Sequence, residues 1–566
     1  DDRGFGRSEE TQHPATPSAE IINAAPERSS SDPWDESHGT GNADRPDGSP
    51  PLRPFLPILI TSRTREEPML SQAVTAKDIE LYFKHFHHRW PLLHRDSFNE
   101  CGPYTLTASV AMIGAWLSGS HEAQERSLIL HDRLMEHILQ RLKVDEKISR
   151  AVLMRNVLVS VLREVGFFEP EQVSAQEKPG TFPAFLHLKQ QERRRLATCL
   201  FRIDCYLSLL RVQPPLLTSE ELYFALPCTF ATWDAENLSM WSVRIADEPL
   251  ERQEHSTCET LRGKCLDEMT GESRSLLLLA EDVQLAFCAT YWDIWHYREH
   301  SRNSSSADND LQDAPRKRLE SWSRYLECLF IRHSADEDQN ILSGQHIVPM
   351  KFYLGQVDES ADNWQDAALN RFCSIKFDAL ILYNSLSLHL LTDIRVLRVL
   401  AQNSAYAEGA LLDVQYEQKT KQWAQRRGAR QAVWHAVTII RSLRTSSEYL
   451  AGTLDPVCHL ALAVATLVIW AYTSYSNQPC DQCGLHLESY LGSVTEIMPA
   501  RSQAWIEAGG RAAIDGIVLC RCNTEKLLDR IRATTTAVTG NHEWQAAALI
   551  APFPRRTEAG LIMMDI

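Results

Sequence analysis

The sequence predicts an all-α fold, a large helical bundle or superhelical body that follows a disordered N-terminal segment. In Lys189–Arg211 the apolar residues recur every three or four positions, which is one face of an α-helix. Similar amphipathic patterns recur as far as Ile531, with no convincing series of strands and no fixed-period repeat. Since 566 residues exceed one ordinary core, we expect two or more packed units or one large solenoid.

Composition limits the class of protein. Hydrophobic residues make up 44% and charged residues 23%, as is usual for globular proteins. The net charge is −16, whereas a domain that grips DNA phosphates alone is usually basic, so we do not expect these residues alone to grip DNA. Of the 14 cysteines, most are scattered through apolar helical patterns, as Cys199, Cys205 and Cys288 are. This usage favours free thiols in the reducing nucleus or cytosol.

Four parts are predicted along the chain. Residues 1–70 are rich in Pro, Ser, Asp, Gly and Asn and are expected to be a disordered linker. Residues 71–240 and 241–532 are predicted to form the two parts of one helical body, and residues 533–566 an irregular tail. The chain opens with DDRGFGRSEE, without Met or a secretory signal, which favours a fragment or a processed chain.

The helical body begins at Thr75, which is predicted to cap a helix that carries an apolar stripe from Ile79 to Phe86. Loops are expected at Glu169–Pro183 and Ser301–Asp313, and a polar, exposed segment at Glu248–Glu272. The run Leu460–Tyr472 is too short for a membrane span and is interpreted as a buried helix. The remaining helical segments are expected at Leu106–Leu117, Leu128–Leu142, Val152–Val165, Leu276–Tyr297, Trp364–Leu400 (one helix or two), Arg426–Arg444, Pro456–Tyr475, Leu485–Ile497 and Ala512–Ile531.

The most informative stretch is Lys189–Asn237. Pro214-Pro215 is expected to end the long helix, because proline lacks the N–H and disfavours helix in the residue before it. Ser219 is then predicted to cap a short helix with carboxylates in its first turn. Pro227-Cys228 would end that helix just before Trp233-Asp234.

This stretch resembles the regulatory domain of fungal transcription factors, also called the xylanolytic-activator regulatory domain or middle homology region. The resemblance lies in RR-L-A-x-x-L-F-x-x-D-x-Y, then PP-L-L, an acidic cap, L-P-C and W-D-A, and it also includes LYFKHFHHRWPLLHRDSF at Leu81–Phe98. Arg426–Tyr475 resembles the C-terminal segments of members that carry Cys2His2 zinc fingers upstream, whereas Met240–Gln425 carries no recognised motif. The resemblance implies a nuclear protein, DNA as a partner through an upstream zinc-bearing module, and contact with the transcription machinery.

No metal site is predicted within the chain. Cys480-Asp-Gln-Cys483 is a single CxxC pair, and Cys520-Arg-Cys522 is a CxC that lies in an apolar, helix-like pattern. Four thiolates could hold zinc, but a polar loop plus two ordinary helical cysteines is the favoured interpretation. The first 100 residues contain no cysteine, so any zinc is expected in an upstream module.

The histidines are likewise interpreted as packing and hydrogen-bonding groups. His85, His87, His88 and His94 form a dense stretch that lacks a third-ligand carboxylate. His296 and His300 are four residues apart, but the segment HYREH lacks the Glu that HExxH places beside its first His.

Enzyme signatures are not found: the sequence contains no G-x-S-x-G, no P-loop and no G-x-G-x-x-G after a strand. The catalytic residues are therefore predicted as none, and cofactor-binding residues remain unknown. Short basic runs are interpreted as solvated helix faces or loops rather than nucleic-acid grooves; they are Arg193–Arg195, Arg316–Arg318, Arg426–Arg427 and Arg555–Arg556.

The favoured function is the regulatory region of a fungal nuclear transcription factor that controls RNA polymerase II transcription. Helices around Lys189–Arg211 and Leu460–Tyr472 could enclose a pocket for a small-molecule effector. Two alternatives stay open: an all-α interaction scaffold or transcriptional cofactor without its own DNA binding, and a metal-dependent hydrolase.

Overall fold

The computed structural model describes most of the chain from Val74 to Thr539, and all of these residues belong to one unit, Pro57–Ile566. The predicted linker 1–70, the helix predicted at Leu485–Ile497, the pair Cys480 and Cys483, and the tail beyond Thr539 lie outside the described residues. The described ranges are 74–99, 103–142, 150–168, 182–250, 252, 257–258, 260–261, 277–303, 309–332, 346–356, 363–405, 414–450, 454–476 and 500–539.

The all-α prediction is confirmed, since helices make up most of the described ranges. The α-helices are α1 Ala76–His85, α2 Tyr104–Leu117, α3 His121–Leu142, α4 Arg150–Glu164, α5 Pro183–Arg211, α6 Phe230–Trp233, α7 Leu238–Ala246, α8 Ala280–Asn303, α9 Asn309–Glu327, α10 Trp364–Leu391, α11 Ile394–Ala405, α12 Val414–Ala424, α13 Arg427–Leu450, α14 Pro456–Tyr475, α15 Ala500–Ala508 and α16 Thr524–Thr539. Short 3-10 helices cover Ser219–Glu221, Met350–Tyr353 and Arg521–Asn523.

Four short strands form two small sheets that the sequence did not predict. Strand β1 (Leu329–Arg332) pairs in parallel with β2 (His346–Pro349), and β3 (Ala513–Ile514) pairs antiparallel with β4 (Ile517–Val518). The helix predicted over Ala512–Ile531 is therefore wrong in its first half. Asp515 and Gly516 both have positive φ there, which turns the chain into a hairpin instead of a helix.

Helix α14 lies at the centre of the body and packs against α10, α11, α12, α13 and α5. It is, among the described residues, the one helix long and apolar enough to cross a membrane, with a mean hydropathy of 1.7 over 18 residues. Of this 18-residue stretch, 78% is buried inside the protein. A helix that is apolar on all sides and covered by other helices is a core helix, so the sequence-based interpretation of Leu460–Tyr472 is supported.

The two helices that open the body approach each other closely. Thr75 is the N-cap of α1, as predicted, and its hydroxyl accepts from the N–H of Asp78 at 3.2 Å. A Cβ added at Gly114 in α2 would lie 1.7 Å from the carbonyl oxygen of Asp78. Only glycine therefore permits this crossing of α1 and α2.

Three other local predictions need correction. Thr218, not Ser219, caps the 3-10 helix, because Thr218 is the extended residue and forms a capping box with Glu221. Helices α8 and α9 reach into Ser301–Asp313, so the predicted loop is wrong at both of its ends, and residues 304–308 lie outside the described residues. Glu248 and Arg252, predicted to be exposed, are buried.

Residues on both sides of position 240 join one hydrophobic core, which reaches from Trp90 to Ile531 and includes Leu209, Phe287 and Leu386. The predicted boundary at 240 stays a prediction. Helix α16 continues to Thr539, so residues 533–539, predicted to belong to the irregular tail, are helical.

Candidate functional site: a buried charge network

A network of buried charges joins the segment after α1 to three central helices. Arg202 of α5 donates to Asp455 Oδ2 at 3.1 Å and to the carbonyl oxygen of Arg89 at 2.9 Å. Its guanidinium carbon lies 3.8 Å from the ring centroid of Trp90. Trp90 Nε1 donates to the same Asp455 oxygen at 3.0 Å. The carboxylate of Asp455 therefore binds both Arg202 and Trp90, and Trp90 lies 365 positions away from it in the sequence.

Asp455 also begins helix α14. Its second oxygen, Oδ1, accepts from the N–H of Val457 at 3.0 Å, and Pro456 occupies the first helical position. This is the arrangement that a helix N-terminus favours, because the side chain pairs an N–H that no carbonyl of the helix can reach. One residue thus combines an N-cap with an ion pair.

Asp378 of α10 is the second carboxylate of this network. Its Oδ2 lies 3.0 Å from Arg89 Nε, and both side chains are almost fully buried. The pKa of Asp378 is raised to about 8, mainly by burial and also by the neighbouring Asp455, whereas Arg89 and Arg202 act in the opposite direction. The Sγ atom of Cys458 lies 4.0 Å from its other oxygen.

A second group of polar side chains lies around His87. His87 Nε2 is 3.2 Å from Asp234 Oδ1, and burial lowers the pKa of this histidine, so the ring is neutral near pH 7. Arg371 of α10 donates to the carbonyl oxygen of His88, and its guanidinium lies 3.2 Å from the ring centroid of Phe230. Burial lowers the pKa of Arg371 to about 9.

The residues that carry the family resemblance form a third cluster. Asp204, the acidic residue of the motif on α5, accepts the N–H groups of Leu216 and Leu217, each at 2.8 Å, so it holds the segment that follows the two prolines. Its other oxygen accepts from Arg155 of α4 at 3.1 Å, and Arg155 also donates to Ser208 at 3.1 Å. The spacing of this motif thus reflects one buried contact between a helix and a turn.

The acidic cap after the prolines is held in a similar way. Glu221 accepts from Thr218 N at 3.0 Å and pairs with Arg163 at 2.7 Å. Glu248 accepts from the hydroxyls of Thr229 and Thr232 at 2.9 and 2.8 Å. Glu248, which is buried, also accepts from the N–H of Thr229 at 2.8 Å. The partly exposed Glu221 and the buried Glu248 therefore both anchor backbone turns of this stretch.

The structure separates most of the histidines and cysteines that the sequence singled out. Helix α1 ends at His85, so His87, His88 and His94 lie in the irregular segment beyond it. Cys520 caps the 3-10 helix that contains Cys522 and does not lie in an α-helix, as the sequence pattern suggested. Within the ranges given above, no three His, Cys, Asp or Glu side chains converge as metal ligands would.

The basic runs fall into two kinds. Arg195 is buried, donates to the carbonyl oxygen of Cys228 at 2.8 Å and lies 4.8 Å from the ring centroid of Trp233. For this residue the prediction of a solvated face is wrong, because its guanidinium joins two parts of the core. Arg426 and Arg427 are exposed, as predicted, and Arg555–Arg556 lies outside the described residues.

Sequence reasoning missed Asp455, Asp378 and Arg371, and it singled out Asp234 only as part of the W-D-A element, without its partner His87. Asp455 had a usable signal, since an Asp-Pro pair directly before an apolar run is a frequent start of a helix. Asp378 and Arg371 are single charges without a local pattern. Their partners come from distant parts of the chain, so only the fold reveals them.

Comparison with known proteins adds one relationship. The chain is 24% identical over 475 residues to the nicotinate catabolism cluster-specific transcription factor of Emericella nidulans. The match covers 76% of this chain and 51% of that protein, so the chain spans about half the length of the curated relative. No family model matches the chain. No solved structure matches it either. The similarity supports a relationship to fungal transcription factors.

Proposed function

We propose that this chain is the regulatory region of a nuclear transcription factor of the fungal type that controls RNA polymerase II transcription. The observation that carries the proposal is the similarity to a fungal pathway-specific transcription factor over 475 residues. The all-α fold agrees with it, and so does the placement of the motif residues Asp204, Leu216 and Leu217 in one buried contact. The proposed role is regulatory and not enzymatic.

DNA contact would come from a zinc-bearing module outside these 566 residues. The net charge of −16 supports this division of labour, because phosphate binding needs an excess of Lys and Arg. The helical body would then control that module through an effector, a partner subunit or the transcription machinery. The buried network that connects Arg89 and Trp90 to α5, α10 and α14 would make the body respond as one unit.

A reporter assay tests the proposal. The chain is fused to a foreign DNA-binding module and expressed beside a reporter that carries the matching sites. We expect transcription to change, in either direction, relative to the module alone. The matched control is the same fusion with Asp204→Ala, brought to equal expression, which should lose the effect because the turn after Pro215 is released.

An unchanged reporter at full expression of a folded chain would overturn the regulatory proposal and favour the interaction scaffold. Metal analysis of the purified chain addresses the hydrolase alternative separately, because a stoichiometric ion would revive it. The two measurements are independent, so neither result can conceal the other.

A further inference from the structure

Among the ten cysteines in the described part of the chain, seven are buried and three reach the surface as free thiols. Cys373 and Cys522 are exposed, and Cys328 is partly exposed. Only a thiol that a reagent can reach is a candidate for modification, because buried structural cysteines are generally inert. Cys328 and Cys373 stand out from the others because they lie beside the same lysine, although they are far apart in the sequence.

Lys376 of α10 shows that these two cysteines are on neighbouring segments. Its Nζ donates to the carbonyl oxygen of Leu329 at 2.8 Å, and Leu329 directly follows Cys328 at the junction of α9 and β1. Cys373 lies three residues before Lys376 on α10, which is the spacing of neighbours on one helix face. One ammonium group therefore connects the two segments that carry the thiols, and α9 packs against α10 beside it.

Two aromatic rings hold the ammonium group in this position. Lys376 Nζ lies 5.2 Å from the ring centroid of Phe330 on β1 and 5.7 Å from that of Phe372 on α10. Phe330 is two residues after Cys328, and Phe372 directly precedes Cys373. Cation–π contacts at this distance are attractive, so Lys376 is held by both cysteine-bearing segments at once.

The electrostatic contacts of Lys376 include both thiols. Burial raises the pKa of the Cys373 thiol, and the Lys376 ammonium acts against this shift. Burial lowers the pKa of Lys376, whereas Cys373, Glu327 and Cys328 act in the opposite direction. The ammonium therefore stabilises a negative charge on either sulfur. Since the thiolate is the form that attacks a disulfide, Lys376 favours the reactive state of this pair.

A second cysteine pair provides a contrast within the same chain. Cys205 of α5 and Cys288 of α8 are hydrogen-bonded to each other, but their side chains are only 2% and 3% exposed. The pKa of Cys205 is raised well above its ordinary value, mainly by burial and also by that hydrogen bond. Reagents in solution do not reach these thiols in the folded chain, so this pair is an internal control.

We propose that Cys328 and Cys373 form a reversible disulfide under oxidising conditions, with Lys376 as the positioning residue. The oxidant is a small disulfide of the glutathione type. The thiolate of Cys373 attacks one sulfur of the oxidant, releases one glutathione and leaves a mixed disulfide. The thiolate of Cys328 then displaces the second glutathione. The protein loses two thiol protons and two electrons, and the oxidant is reduced to two thiols.

The disulfide would join the α9–β1 junction to the centre of the body. Helix α10 packs against α8, α13 and α14, and Asp378 of the buried charge network lies two residues beyond Lys376. Disulfides in reducing compartments are usually transient and redox-sensing, which suits a reversible bond at the surface. Its use as a redox switch of transcription rests on the proposed function, whereas formation of the disulfide does not.

Peptide mapping of the purified, fully reduced 566-residue chain tests the proposal. The folded chain is incubated with oxidised glutathione, the remaining thiols are blocked with N-ethylmaleimide in denaturant, and tryptic peptides are analysed by mass spectrometry without reduction. Cys328 and Cys373 fall on separate tryptic peptides, 325–332 and 372–376. We expect these two peptides to be joined by one disulfide, and the peptides of Cys205 and Cys288 to carry N-ethylmaleimide.

Four variants assign the roles of the residues. Cys328→Ser should stop the reaction at the mixed disulfide, so that Cys373 carries one glutathione. Lys376→Gln should slow formation of the disulfide about threefold to tenfold, because the thiolate loses its stabilising charge, and Lys376→Arg should restore most of the rate. The matched control is Cys522→Ser, which removes another exposed thiol and should leave the yield unchanged. Circular dichroism confirms that each variant is folded.

The pairing would be overturned if the joined peptides did not form, whether Cys373 stayed free or kept its glutathione while Cys328 remained a thiol. An equal rate in Lys376→Gln would overturn the role of the lysine. Since the mapping uses the isolated chain, a disulfide without any effect in the reporter assay would reject only the regulatory role. A reporter effect without the disulfide would reject only this pairing.

Discussion

Two buried polar clusters that include residues from the C-terminal half of α5 or its end differ in how completely their polar atoms are paired. In the first, Arg155, Asp204 and Ser208 bond with one another and with the turn after Pro215, and Arg155 also donates to Asn156 through Nε and Nη2. In the second, a small pocket beside α8 at the α10–α11 junction, four polar atoms of the lining have no partner in the described part of the chain, namely His389 Nε2, Thr392 Oγ1, Trp295 Nε1 and Arg395 Nε. A closed cluster stabilises the fold, whereas an open one leaves buried polar groups uncompensated, which costs stability.

The largest effect is expected in the closed cluster. Asp204→Ala would leave Arg155 buried without its carboxylate and free the N–H groups of Leu216 and Leu217. Removal of one partner from a buried ion pair costs about 3–5 kcal/mol of unfolding free energy. Denaturant titration followed by circular dichroism measures it.

The matched control for that variant is Asp529→Ala, which breaks the exposed pair between Arg532 and Asp529, 2.6 Å apart. Exposed pairs contribute at most about 1 kcal/mol, so this change should be small. If both variants lose the same free energy, the cluster around Asp204 does not hold the turn and the contrast with the pocket fails.

The sequence predicted the closed cluster better than the open one. The spacing of Asp204, Tyr206 and the two prolines is local, and the helix periodicity places them without knowledge of the fold. Apart from Val212 at the end of α5, the pocket is lined by residues of α8, α10, α11 and the α10–α11 junction, in the part of the chain that carries no recognised motif. Arg298 and Thr392 are 94 positions apart in ordinary helical and loop sequence, so their convergence follows only from tertiary packing.

In how completely its polar atoms are paired, the charge network around Asp378 lies between the cluster around Asp204 and the pocket beside α8. Arg89 faces Asp378 at 3.0 Å, but the two Nη atoms of this arginine have no hydrogen-bond partner among the residues described. The pKa of Asp378 rises from its ordinary 3.8 to about 8 because the group is buried. Asp455, Arg202 and the thiol of Cys458 are the other ionisable groups that face it.

The raised pKa gives a signed prediction for the dependence of stability on pH. Between about pH 4 and pH 8 the folded state keeps the proton of Asp378 while the unfolded state releases it. The contribution of Asp378 to the unfolding free energy is therefore complete below pH 4 and falls as the pH rises towards 8, by at most about 1.4 kcal/mol per pH unit.

Asp378→Asn isolates this contribution, because asparagine does not titrate. Denaturant titrations of both chains from pH 5 to pH 9 should show that the variant gains stability relative to the unmodified chain as the pH rises, with the difference levelling off above pH 8. A difference that does not change between pH 5 and pH 9 would mean that Arg89 keeps Asp378 ionised, because both states would then have lost the proton throughout this range. The network would then be as fully paired as the cluster around Asp204.

The smallest effect concerns two buried threonines that differ only in pairing. The hydroxyl of Thr466 donates to the carbonyl oxygen of Leu462 at 2.8 Å, whereas that of Thr392 has no partner in the described structure. Thr466→Val should lose about 1 kcal/mol of unfolding free energy, and Thr392→Val should lose none or gain a similar amount, because an unpaired hydroxyl is costly to bury. Valine also suits the extended backbone of Thr392, at φ −138° and ψ 137°.

If Thr392→Val were destabilised as much as Thr466→Val, the hydroxyl of Thr392 would have a partner in solution. Unpaired atoms would then no longer distinguish the pocket from the closed cluster.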